Sequence, residues 1–266
     1  MKKALKAVCI QMRSLSFDIE NNLKRAENLI SKILGDTDLV VLPELFNTGY
    51  SINLIKNIPI NKLTEFYNIT VAFLSKTSKS KNIYITAGVL EIDNNKLYNT
   101  LFVFNNYGYI VCRYRKISLF TLTGENDIFA CGNELKVFSL NGFKIGLMIC
   151  YDLRFPEISR AYLDLDTDVL LVSAAFPRSR IDHWRILLKA RAVENQSYVI
   201  ACNCTGENDK LLFGGSSCII EPDGIVAASL NEKDESFIAR ELIMDNIIKT
   251  RKSLPCLADR KKVRGL

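Results

Sequence analysis

The chain predicts an α/β protein in which two mixed sheets pack face to face with helices outside. Three features carry this expectation. Residues 4–43 alternate strand, helix, strand, and residues 143–203 repeat that alternation, so both ends of the chain supply parallel strands joined through helices. Between and after them lie short strands separated by tight turns at 93–95, 106–108 and Asn141-Gly142, which favour antiparallel pairing.

In order, residues 4–11 form a short apolar strand. Ile19, Leu23, Ala26, Leu29, Ile30 and Ile33 recur at helical spacing behind an Asp18 cap, predicting a helix over 18–34 closed by Gly35. The apolar run 37–43 is a buried strand parallel to the first, and it delivers Glu44 where it runs out. That carboxylate is either a general base or a cap for the following turn. A helix over 62–79 and a strand over 82–91 come next, then strands over 97–105 and 109–114. They deliver Lys116 beside an apolar patch, either as a solvated lysine or as a buried ammonium that requires carboxylate partners. Residues 121–134, with Glu125, Cys131 and Glu134, show little regular pattern and read as a loop able to cover a site.

The stretch Phe143-Lys-Ile-Gly-Leu-Met-Ile-Cys150 is an apolar strand that turns polar at its cysteine, with Tyr151, Asp152, Arg154 and Glu157 just beyond. Paired with residues 136–140 across Asn141-Gly142, it holds a thiol at a strand end, where α/β sheets place ligand sites. A buried thiol can equally be a small core hydrophobe. Pro156 marks a sharp exit into a helix over 157–163. A strand over 167–177, a helix over 181–196 and a strand over 197–203 follow. Residues 213–220, 225–230 and 236–241 then read as a terminal meander, and residues 242–250 as a last helix.

At 266 residues the chain suits one domain, 1–266, and 48% hydrophobic with 24% charged residues is ordinary for a globular protein. No apolar run approaches a membrane span and the start lacks a signal-peptide pattern, so no membrane association and a cytoplasmic location are expected. Eight cysteines without regular spacing read as reduced thiols. The net charge of +6 is concentrated partly in the opening lysines and the 259–266 tail; without a basic stripe interleaved with aromatics, no nucleic-acid partner is expected.

Chemistry is narrowed by what is missing. The one histidine, His183, sits beside Trp184 in a predicted helix, and no Gly-x-Ser-x-Gly elbow accompanies it, which argues against a serine triad. A Cys150–His183 pair stays open. Cys202-x-Cys204 is the one close cysteine pair, so no metal is expected, and no phosphate loop or dinucleotide fingerprint implies a cofactor; Gly214-Gly215 reads as a strand or bulge pair. What remains is a thiol, a lysine and carboxylates at the ends of different strands. Glu44 could take the proton of Cys150, Lys116 and the Tyr151 amide could hold an oxyanion, and Glu125 could support the lysine. A silent binding protein, and a redox pair of Cys131 with Cys150, are the competing readings.

These residues resemble the nitrilase superfamily of carbon-nitrogen hydrolases. The similarity lies in Leu42-Pro43-Glu44 with Phe46, Thr48, Gly49 and Tyr50, in Tyr114-Arg115-Lys116 with Leu119-Phe120, and in Cys150-Tyr151-Asp152-x-Arg154-Phe155-Pro156-Glu157. It continues through Ser173-Ala-Ala-Phe-Pro177 and the Trp184 to Asn195 helix, and the order and spacing agree, with 72 residues from Glu44 to Lys116 and 34 from there to Cys150. The resemblance implies a four-layer α-β-β-α sandwich, a Glu44–Lys116–Cys150 triad, no metal, and a homodimer or larger assembly. Residues 119–125 and 150–156 look most like the omega-amidase branch, which hydrolyses small carboxylate-bearing amides such as 2-oxoglutaramate and 2-oxosuccinamate. Such a substrate requires an anchor for its carboxylate. Arg178 and Tyr50, with Phe176 beside them, are the expected substrate contacts, whereas Arg154 is assigned to fixing the Cys150 turn by pairing with a carboxylate.

Overall fold

The computed structural model describes residues 3–261; the last five residues of the basic tail lie outside the described residues. β1 (Ala4–Gln11), α1 (Ile19–Ser31) and β2 (Leu39–Val41) form the expected unit, with β1 and β2 parallel. Asp18 caps α1 by accepting from the Asn21 amide, and Ile19, Leu23, Ala26, Leu29 and Ile30 are buried along one face. The helix ends at Ser31 and not at 34, where Leu34 is 90% exposed and has no surface to cover. After the short α2 (Ile52–Ile55), α3 (Ile60–Lys81) terminates on Asn82 in the left-handed region. β3 (Tyr84–Asp93) joins β2 in parallel; β4 (Lys96–Phe104) and β5 (Ile110–Arg115) continue antiparallel.

The second sheet begins with β6 (Val137–Leu140) and β7 (Phe143–Ile149), paired across Asn141-Gly142 with positive φ at both turn residues, as this hairpin type requires. α4 (Pro156–Ala161), β8 (Val169–Ala174), α5 (Ile181–Asn195) and β9 (Tyr198–Asn203) follow, and β7, β8 and β9 run parallel. The predicted terminal meander is corrected. Gly215 and Ser216 both take positive φ and break the 213–220 run. Its first part closes a separate hairpin of β10 (Thr205–Asn208) and β11 (Leu211–Gly214), while β12 (Cys218–Ile220) and β13 (Val226–Ser229) extend the second sheet. β14 (Ser236–Ile243) instead crosses to the first sheet and pairs antiparallel along the whole of β1, whose backbone groups on that side need partners. The last helix is therefore displaced, to α6 (Met244–Ser253).

The two six-stranded sheets run β14-β1-β2-β3-β4-β5 and β13-β12-β9-β8-β7-β6. Alternation places Leu5, Ala7, Cys9, Val41 and Leu101 against the second sheet, in one core with Ile145, Leu147, Leu171 and Ile200. Val8, Ile10, Val40 and Phe102 pack with α1 and α3 residues on the other side. Burial on both faces explains why these strands read as continuous apolar runs. It also brings the C-terminal ends of β2, β7 and β8 to one region between the sheets.

Candidate active site

Glu44 follows β2 at a turn stitched to β3: the Leu42 amide donates to the Thr86 carbonyl and the Phe46 amide to that of Gly88. A Cβ on Gly88 would lie 2.6 Å from the Glu44 Cα, so only glycine lets β3 pass this close. Lys116 follows β5, its amide donating to the Asn99 carbonyl at 2.9 Å. Cys150 follows β7 at φ 44 and opens a 3-10 turn running to Arg154. Behind that turn the buried Asp152 accepts from the amides of Ile149 and Ser118 and from the Tyr114 hydroxyl, tying the Cys150 turn to the chain just past Lys116.

Lys116 is almost fully buried, and its Nζ donates at 2.8 Å to both Glu44 Oε1 and Glu125 Oε1, settling in favour of the ion-paired ammonium. Burial opposes its charge, but Glu125, Glu44 and Cys150 together raise its pKa well above the usual lysine value. Glu125 also accepts from the Tyr50 hydroxyl at 2.8 Å and the Phe120 amide at 2.7 Å. Glu44 is held three ways: Asn99 Nδ2 reaches Oε1 at 2.7 Å, and the Ala175 amide reaches Oε2 at 2.7 Å. The Cys150 thiol is pushed well above its ordinary range by burial and by Glu44, with Lys116 opposing and Glu125 reinforcing. The resting sulfur is thus a thiol and needs a base beside it to become a nucleophile.

A cavity of about 240 Å³ opens over the sulfur, with Tyr50, Tyr151, Phe176, Arg154 and Arg180 among its walls. Of the expected substrate contacts, Tyr50 and Phe176 line it, the Tyr50 hydroxyl already engaged by Glu125. Arg178 does not: its Nε pairs with Glu232 at 3.0 Å, away from the cavity. The assignment of Arg154 is also corrected. Its guanidinium lies over the rings of Phe176 and Tyr151 with Nη1 3.2 Å from His183 Nδ1, and it faces the cavity instead of a carboxylate. That contact engages His183 with Arg154 and not with the thiol. Arg180, over the Phe120 ring, joins Arg154, and among the described residues neither has a carboxylate partner. Glu134 is exposed and paired with Lys136, so Glu125 is the second glutamate of the site. Cys131 is exposed and outside the cavity.

Sequence reasoning missed Asn99, Arg180 and the Ala175 amide. Asn99 had a signal, an amide side chain beside Thr100 within the run of large apolar residues of β4; Arg180 lies only two positions from the arginine chosen.

Residues 6–252 match the family model for carbon-nitrogen hydrolase, and the chain belongs to that family. It is 38% identical to a 2-oxoglutaramate amidase of Bacillus subtilis over 254 residues, which span 93% of this chain and 96% of that protein. An omega-amidase of Yersinia enterocolitica is 31% identical over 97% of each chain. Among solved structures, Nit3 of Saccharomyces cerevisiae, a member of branch 10 of the nitrilase superfamily, superposes with a TM-score of 0.85 at 28% identity, over 99% of this chain and 97% of its own. The two mixed sheets with flanking helices are therefore the fold of this superfamily.

Proposed function

We propose that this carbon-nitrogen hydrolase is an omega-amidase that converts 2-oxoglutaramate or a similar carboxylate-bearing amide to the acid and ammonia, through a thioester on Cys150. The observation that carries the reading is one buried ammonium shared by two carboxylates beneath a cavity that presents a thiol and two guanidinium groups with no carboxylate partner among the described residues. Glu44 takes the Cys150 proton as the sulfur attacks the amide carbon. Lys116 and the Tyr151 amide stabilise the oxyanion, and collapse of the tetrahedral intermediate breaks the carbon-nitrogen bond as Glu44 returns the proton to the leaving ammonia. Water, deprotonated by Glu44, then attacks the thioester and releases the acid and the thiol. Glu125 holds Lys116 in place. Arg154 and Arg180 take the substrate carboxylate, with Phe176 and Tyr50 shaping the wall. The relatives named for 2-oxoglutaramate support this choice of substrate.

All 266 residues are read as one hydrolase domain, and the unpaired cysteines fit a reducing, cytoplasmic setting. Among the described residues no helix is long and apolar enough to cross a membrane. Self-association is part of the proposal. Ile186 and Val193 stand exposed seven residues apart on α5, the β12–β13 turn packs beside Val193, and Ile225 projects from that turn.

The test is ammonia release from 2-oxoglutaramate, glutamine, N-carbamoyl compounds and nitriles. 2-Oxoglutaramate should be the preferred substrate, Cys150→Ala should fold and release none, and mass spectrometry of the wild type under slowed deacylation should find an acyl adduct on Cys150. Turnover by purified Cys150→Ala would refute the mechanism.

A further inference from the structure

Asn99 lies in β4, 1% exposed, and touches both ends of the site's charge network. Its carbonyl accepts the Lys116 amide at 2.9 Å, while its Nδ2 donates to Glu44 Oε1 at 2.7 Å. Oε1 also takes the Lys116 ammonium, so both its lone-pair directions are engaged. Oε2 receives one donor, the Ala175 amide at 2.7 Å, from the chain just past β8. The two carboxylate oxygens are therefore unequal. Oε1 is saturated by two donors from the first sheet, whereas Oε2 accepts one donor among the described residues and keeps a lone-pair direction open.

The rest of the Asn99 side chain does not fit a structural role. Among the described residues its buried Oδ1 has no partner, so the amide satisfies Glu44 and nothing else, although an unpaired buried acceptor costs stability. The strand itself is held independently by the next residue: Thr100 Oγ1 donates to the buried Glu91 at 2.6 Å, and Arg113 and Arg115 close on that same carboxylate.

We propose that Asn99 is a positioning residue for hydrolysis, committing Glu44 Oε1 to the first sheet so that Oε2 is the oxygen that exchanges the proton with Cys150 and with water. This rests on the reading of Glu44 as the general base. A leucine at this position keeps the branching and the number of side-chain heavy atoms, removes the donor and leaves no orphaned acceptor. Asn99→Leu should therefore match or exceed the wild-type melting temperature while kcat falls about 10- to 100-fold, the loss expected when one hydrogen bond to a charged group disappears. KM should stay within about twofold, since ground-state binding is untouched.

The decisive measurement is a double-mutant cycle read by iodoacetamide alkylation of Cys150, which needs no turnover. Asn99→Leu should slow alkylation in the wild-type background. Added to Glu44→Gln, it should change the rate by less than about twofold, because its effect passes through Glu44. Asn99→Ser, with a shorter donor, should fall between wild type and leucine. Unchanged kcat in Asn99→Leu, a lowered melting temperature that tracks the loss of activity, or an equal additional slowing in the Glu44→Gln background would overturn the assignment. The two readings fail separately: full turnover by Glu44→Gln removes the base mechanism, whereas inactive Glu44→Gln beside fully active Asn99→Leu removes only the role of Asn99.

Discussion

Cys150 occupies the left-handed backbone region, at φ 44, where a side chain costs roughly 1–2 kcal/mol. That conformation turns the chain at the end of β7 and presents the sulfur to the cavity. Burial, reinforced by Glu44, keeps the sulfur protonated, so a solvated thiolate is not waiting to react. The same economy of charge applies at the cavity wall. Two guanidinium groups that have no carboxylate partner among the described residues line a pocket walled by five aromatic rings, and an anionic substrate group would complete them. Arg154→Met and Arg180→Met should each raise KM for 2-oxoglutaramate by about 10- to 100-fold, from the loss of charge-assisted hydrogen bonds. Hydrolysis of an uncharged short amide should change little. Steady-state kinetics on both substrates separates this from general damage, and equal losses on the two would remove the arginines as carboxylate anchors.

Between elements, Asp152 joins the end of β7, the segment after β5 and the Tyr114 side chain of β5 itself. Burial raises its pKa from 3.8 to about 6, against the opposing effect of the Ile149 and Ser118 amides that it accepts. The folded protein thus holds this proton more tightly than the unfolded chain does. Its contribution to stability is fully present below pH 3.8 and is lost as pH rises through about 6, a change of ~3 kcal/mol. In Asp152→Asn that slope disappears. Urea denaturation of both proteins at pH 4 and pH 7.5 should show the wild type losing about 2 kcal/mol relative to the variant across this interval, since part of the change already lies below pH 4. A constant difference between the two would mean that Asp152 titrates as an ordinary carboxyl. Above pH 6 the ionised form, with acceptors for all three donors, keeps the nucleophile turn and the Lys116 segment in register.

Over the whole molecule, the outer face of α5 leaves Ile186 65% and Val193 48% exposed, with Ile225 of the neighbouring turn 62% exposed. A second copy of the chain covering this face would remove that apolar area from water. Sedimentation of the wild type should give a dimer or larger species, and Ile186→Lys with Val193→Lys should shift it to monomer with the far-UV spectrum unchanged; a monomeric wild type would dismiss the assembly. The alternation of strand and helix, the Asn141-Gly142 turn, and the placement of Glu44, Lys116 and Cys150 at strand ends were all legible in the sequence, because each depends on local periodicity and turn chemistry. Other features depended on partners far along the chain. β14 found the free side of β1 across more than two hundred residues. Arg178 and Arg180 differ by two positions, yet the first meets Glu232 and only the second lines the cavity, a choice made by a turn and a distant loop. Asn99 reaches Glu44 only because β4 and the β2 end are brought together in one sheet, with β3 between them. The sequence by itself determined the α/β class and the placement of Glu44, Lys116 and Cys150 at strand ends, since hydrophobic period and turn chemistry are written locally. Only the tertiary structure decided which oxygens, guanidinium groups and amides converge on the sulfur, since burial and hydrogen-bond geometry arise from residues brought together by sheet packing.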